Sequence, residues 1–161
     1  PSEQVWRFYI GTTDSAFRFD TGLSAIKAYR LPKTTKTYKF TLRSYSNCDK
    51  NVNCKNNHIP IFIPVVTFLD SRFTPIFSLL PGDLIRSTST PSLQESQAYE
   101  FKLKIEANNQ AKFLIIFTTP SLVKNNVEYS YKRAASLYPR SGESISGLPF
   151  GEFKISFTPY P

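Results

Sequence analysis

What the sequence lacks narrows its function first. Methionine is absent, histidine occurs once, cysteine twice and glycine six times in 161 residues. A chain without methionine is expected to be a trimmed product, removal of a signal peptide being one route to it. One histidine excludes metal centres built on several imidazoles and leaves His58 as the sole base for a Ser/His/Asp relay. No serine stands in a G-x-S-x-G elbow, and no glycine-rich phosphate loop occurs. The longest apolar run, Ile59 to Leu69, is interrupted by Pro60 and Pro64. It falls short of the roughly 18 residues that a membrane-spanning helix requires. The acids, among them Asp14, Asp70, Asp83, Glu106 and Glu152, fall at turns and strand ends, and no pair is singled out as facing another across a cleft. The expectation is a protein without catalytic residues and without a cofactor.

What is present is aromatic and alternating. Phenylalanine occurs 14 times and tyrosine 9 times, residues that suit a pleated, half-buried surface. Period-two patterning predicts strands at Val5–Tyr9, Ala16–Phe19, Ser24–Leu31, Lys36–Tyr45, Ile61–Asp70, Phe73–Leu80, Tyr99–Glu106, Ala111–Thr119 and over the closing EFKISF. Ile61–Asp70 is nearly continuously apolar, as in a strand covered on both faces, with Phe73–Leu80 as its hairpin partner. The ANNQA turn predicts a second hairpin, between Tyr99–Glu106 and Ala111–Thr119. Residues 81–97 read as a polar surface loop, and 120–150 as loop with one short helix within Leu122–Leu137. The expected fold is all-β: a sandwich of roughly eight to ten short, mostly antiparallel strands forming one domain over 1–161. Its core is expected to contain Tyr38, Phe40, Leu42, Val66, Phe68, Phe101, Leu103, Leu114 and Ile116.

The formal net charge is +8. In TYKFTLRS and YEFKLKIE the cations alternate with apolar residues, which places them on the solvated face of a sheet. Without a continuous basic tract or a nucleic-acid motif, no nucleic-acid partner is expected.

Both cysteines and the histidine lie in NCDKNVNCKNNH, residues 47–58. A zinc site would need four ligands and would have to recruit Asp49 to Cys48, Cys54 and His58. A Cys/His nucleophile would need an electropositive or buried setting, which this polar run does not offer. The preferred reading is a Cys48–Cys54 disulfide, formed in an oxidising compartment. Closing so short a loop restricts the unfolded chain by about 2 to 2.5 kcal/mol on the entropic view. No metal is expected.

Tyr29, Tyr45, Tyr129, Tyr131, Tyr138 and Tyr160 fall at predicted strand ends or in loops. Side chains of this kind stack on sugar rings, and they also pack with the hydroxyl left wet. The first five are the candidate ligand-binding residues.

FRFDTGLSAIKAYRLP leading into YKFTLRSY, then FIPVVTFLDSRFTPIFSL, AKFLIIFTT and GLPFGEFKISF, resemble the β-rich part of the maltose-operon periplasmic protein (MalM) family. The most telling piece is Leu69-Asp70, two residues, then Phe73-Thr74-Pro75. The resemblance implies a bacterial exported protein, in the periplasm or at the outer membrane, with an accessory and non-enzymatic role. The cysteine loop and basic face lie outside that pattern. They favour a protein-binding peripheral subunit of a larger envelope assembly, such as a secretion machine, with other envelope proteins as partners. The second reading is a carbohydrate-binding accessory protein, for maltodextrins or a cell-wall glycan.

Overall fold

The alternating segments become two facing sheets. The structure, a computed structural model, describes residues 4–20, 22–33, 36–45, 58–86, 98–107, 109–124 and 144–160. The strands in chain order are β1 (Gln4–Ile10), β2 (Ala16–Phe19), β3 (Gly22–Arg30), β4 (Tyr38–Tyr45), β5 (His58–Phe62), β6 (Val65–Leu69), β7 (Pro75–Leu79), β8 (Ile85–Arg86), β9 (Ala98–Ile105), β10 (Phe113–Phe117), β11 (Ser144–Leu148) and β12 (Gly151–Pro159). A single-turn 3-10 helix at Pro81–Asp83 and a short helix α1 (Pro120–Lys124) complete the described elements. The first five-stranded sheet runs β1-β12-β4-β9-β8 and the second β2-β3-β10-β6-β7, and every pairing within them is antiparallel. The chain is an all-β sandwich.

Register shows how the pattern fills the core. Phe40 lies opposite Phe157 on one side and Leu103 on the other, and Leu42 lies between Ile155 and Phe101. One step along the opposite face come Lys39, Thr41, Lys102 and Lys104, which remain in contact with solvent. On the second sheet Leu114 aligns with Tyr29 and Phe68, and Ile116 with Lys27 and Val66. The two inner faces meet through aromatic rings, Phe40 edge-on to Phe68 at 5.4 Å and Phe8 against Tyr29 at 4.7 Å, and within the second sheet Phe68 stacks on Phe77 at 4.4 Å. All nine residues expected in the core lie there, eight of them buried and Leu103 packed against them at partial exposure.

A small third sheet closes one end. In it β5 pairs in parallel with β11, so the prediction of mostly antiparallel strands holds with one exception. Phe62 of β5 is buried beside Gly151, where a Cβ would lie 2.5 Å from the Phe62 Cβ. The buried Ser44 hydroxyl donates to the Phe62 carbonyl at 2.6 Å, joining this cap to β4.

Several expected boundaries and pairings change. The Ile61–Asp70 segment is divided, because Pro64 cannot donate to a ladder and separates β5 from β6. ANNQA does not close a hairpin: β9 pairs with β4 and β8, whereas β10 crosses to the other sheet, between β3 and β6. The link GTTDS, residues 11–15, also crosses, from β1 in one sheet to β2 in the other. Of the expected 81–97 loop, residues 81–86 form the 3-10 turn and β8, and 87–97 lie outside the described residues. α1 occupies Pro120–Lys124, at the start of the expected segment, while VEYSYKRAASLY, where a helix was expected to run, falls within residues 125–143, outside the described ones. Ser144–Leu148, expected as loop, is strand β11.

Candidate functional site

The LDSRFTP stretch, residues 69–75, forms a turn. Asp70 Oδ1 accepts hydrogen bonds from the Arg72 and Thr74 backbone N–H groups at 2.7 and 2.9 Å. The Asp70 N–H donates to the Thr74 carbonyl and the Phe73 N–H to the Asp70 carbonyl. Within this turn Phe73 adopts φ 61°, a conformation that few non-glycine residues take. Its ring stacks on Phe113 at 4.7 Å, yet 64% of the residue remains exposed. Asp70 therefore serves to fold β7 back along β6.

The returning strand forms an edge. Each five-stranded sheet has two edges, β1 and β8 in the first, β2 and β7 in the second. Natural edges are blunted with charge, proline or brevity, because their unpaired N–H and C=O groups can take up another strand. Arg7 lies in β1, Arg18 in β2 and Arg86 in β8, and β8 is only two residues long. The sequence of β7 is PIFSL, with no charged residue. Among the described residues its guards are Pro75, at the end nearest the turn, and a register shift opposite Phe68 and Leu69 that leaves Ile76 without a paired residue. Ile76 is 42% exposed and Leu80, just beyond the strand, 54%. Phe77 and Leu79 pack inward against the core, which holds the strand on its sheet beyond that shift.

Of the five candidate ligand-binding tyrosines, the two within the described residues, Tyr29 and Tyr45, are covered by other side chains. Tyr29 stands on the inner face, its ring 4.7 Å from Phe8, and its buried hydroxyl has no hydrogen-bond partner among the described residues. Burial, and then the negative charge of Asp14, raise its pKa well above the usual phenol value. Tyr45 is buried beneath the Arg7 guanidinium, 5.2 Å from the ring centroid. Strand alternation alone did not reveal that these rings are covered. Tyr160 is exposed, with the Lys104 ammonium 5.1 Å from its ring centroid. Tyr129, Tyr131 and Tyr138 lie outside the described residues, as do Cys48 and Cys54. His58 opens β5. Among the described residues no group of three His, Cys, Asp or Glu side chains is placed to hold a metal ion.

The basic face on the outside of the first sheet is largely matched internally. Arg7 pairs with Glu152, Lys104 with Glu106 at 2.8 Å, and both Arg43 and Lys102 with Glu100. Glu100 is buried at 1% exposure, and its bond from Arg43 Nη2 spans 3.1 Å.

Among the described residues, two of the cavities flank the sandwich. A cavity of about 350 Å³ between the β1–β2 link, β3 and α1 is mainly apolar. Asp14 lies at its margin, paired with Lys27. The Lys27 hydrogen bond holds the Asp14 carboxyl below its usual range against the opposing effect of burial, and the Gly11 N–H adds to it at 2.8 Å. A larger cleft of about 860 Å³ lies at one end of the sandwich, among the end of β3, the link from β3 to β4, the β9–β10 turn and Ser71. Sequence reading gave no sign of this cleft, since its basic residues come from separate segments.

Compared with family models, with curated proteins and with solved structures, the chain matches none of them.

Proposed function

We propose that this chain is a non-enzymatic accessory module of the bacterial cell envelope that takes up an extended segment of a partner protein along β7. The observation that carries the reading is the contrast among edges. Of the four edges of the two five-stranded sheets, three contain an arginine, while β7 presents PIFSL between exposed Phe73 and Leu80 with no charge along it. Strand addition supplies affinity through backbone hydrogen bonds, and alternate side chains supply selectivity. Here the second sheet would extend to β2-β3-β10-β6-β7-partner, with Ile76 and Phe73 offering apolar contacts next to the new strand. The envelope location rests on the resemblance in the strand and turn segments, and on the two cysteines within one polar stretch.

The test is a photo-reactive amino acid at Ser78, exposed on β7, with the same group at Lys154 on the opposite sheet as control. Irradiation of intact cells is expected to give one discrete envelope-protein adduct from position 78 and none from 154. Equal labelling at both positions, or no adduct at 78, refutes the reading.

A further inference from the structure

We infer that the 860 Å³ cleft is a binding site for a compact, phosphate-bearing polyanion. Its lining holds four cations, Arg30, Lys33, Lys36 and Lys112, and one carboxylate, Glu106. That carboxylate is already engaged, by Lys104 at 2.8 Å and by the Thr37 hydroxyl at 3.0 Å. Among the described residues no acid pairs with Arg30, Lys33 or Lys112. On the outer sheet face Arg7, Arg43, Lys102 and Lys104 find glutamates, whereas in the cleft Arg30, Lys33 and Lys112 converge with no acid paired to them among the described residues. Such a concave, like-charged wall concentrates anions from solution.

The cleft is also held open by the backbone. The Lys112 N–H donates to the Leu69 carbonyl at 2.7 Å, and the Leu31 N–H donates to the Lys112 carbonyl at 2.9 Å. These bonds tie the β3 end and the segment before β10, which carry Arg30 and Lys112, to the end of β6, so these two cations are fixed relative to one another. Within the β9–β10 turn the Ala111 N–H donates to Asn109 Oδ1 at 2.6 Å. Tyr38 forms part of the wall, its phenol pushed up to about 12 by burial and so neutral at physiological pH. Ser71 and Asn109 add polar atoms to the lining. An arginine fork with lysine point charges suits phosphate oxygens. The volume lies within the range of small-molecule sites, about 300–1,000 Å³, larger than a single phosphate requires.

The phosphates can belong to a soluble compound or to a lipid headgroup, and the experiment separates the two. Tripolyphosphate is titrated calorimetrically into the full chain at about 20 mM salt and again at about 150 mM, where screening is stronger. In parallel, flotation is measured with vesicles of anionic phospholipid and of zwitterionic phospholipid alone. Lys33→Gln with Lys112→Gln removes two charges from the cleft, and Arg18→Gln with Lys154→Gln removes two elsewhere. The expected result is saturable one-to-one binding, weakened severalfold by salt and by roughly tenfold in the cleft pair, at about two- to fivefold per exposed cation. The control pair should bind as the parent does. Saturation by tripolyphosphate assigns the site to a soluble ligand. Flotation with anionic vesicles only, abolished in the cleft pair, assigns it to a headgroup. The inference is overturned if neither ligand binds, or if both variant pairs weaken binding equally.

Discussion

Replacing Glu100 tests how this sandwich tolerates a buried charge. The carboxylate is 1% exposed and receives Arg43 Nη2 at 3.1 Å together with Lys102. Lys102 is 37% exposed at its side chain, so after Glu100→Ala its ammonium can turn to water at little cost. Arg43 has less freedom, with its side chain 19% exposed and its Nε buried without a partner among the described residues. Removing one member of a buried pair costs about 3–5 kcal/mol, and partial exposure of Arg43 lowers the expectation to about 2–3 kcal/mol. For a chain of this size each kcal/mol moves the melting temperature by about 2–4 °C, so Glu100→Ala should melt roughly 5–10 °C lower. Glu100→Met combined with Arg43→Met removes both charges and should recover most of that loss, since apolar replacements of a whole buried pair are often neutral. Differential scanning calorimetry of parent, single and double variants reads this directly. A double variant as unstable as Glu100→Ala would refute the reasoning, because the cost would then come from lost packing rather than from an orphaned cation.

Two further outcomes follow from geometry and charge. A Cβ at Gly147 would lie 2.0 Å from the Leu122 carbonyl oxygen, a backbone atom, so Gly147→Ala must displace β11 or α1. It should cost about 1–3 kcal/mol by denaturant titration, the range for overpacking. Asp14 has a folded-state pKa depressed below its ordinary 3.8 by Lys27, so its contribution is present above that value and is lost as pH falls through the depressed one. The stability gap between parent and Asp14→Asn should therefore be full near neutrality and close on acidification, as followed by melting temperature against pH. A gap that is constant with pH would rule out the charge as its source.

Strand existence and inward faces were legible in the sequence because a half-buried sheet leaves a period-two trace. Phe40 and Leu42 alternate with Lys39 and Arg43, and each falls on the face that this pattern implies. Pairing was less legible. ANNQA has the composition of a hairpin turn, yet the turn sends the chain across the sandwich, since β10 is needed to fill the gap between β3 and β6. Local turn chemistry does not specify which sheet the next strand joins. The parallel strand β11 was missed because SISGL has little aliphatic content, and its glycine is fixed by close approach to Leu122, a long-range contact. Of the sites, the β7 edge was partly legible: a hairpin partner to Ile61–Asp70 over Phe73–Leu80 was readable and its Pro75 is of the edge type, but the contrast with the other sheet edges was not. The burial of Tyr29 and Tyr45 depends on Phe8 and Arg7, which reach them from a strand far along the chain. The cleft likewise depends on three separated segments coming together, which no local pattern records.

The measurement that tests the central claim most directly is amide hydrogen exchange of this chain, alone and bound to the partner segment trapped at position 78. Strand addition to the β7 edge should slow exchange in residues 75–80 by at least an order of magnitude, through new backbone hydrogen bonds, and leave β1 and β8 unchanged. Protection that appears instead on the outer face of the first sheet, or no added protection in β7, would contradict the account.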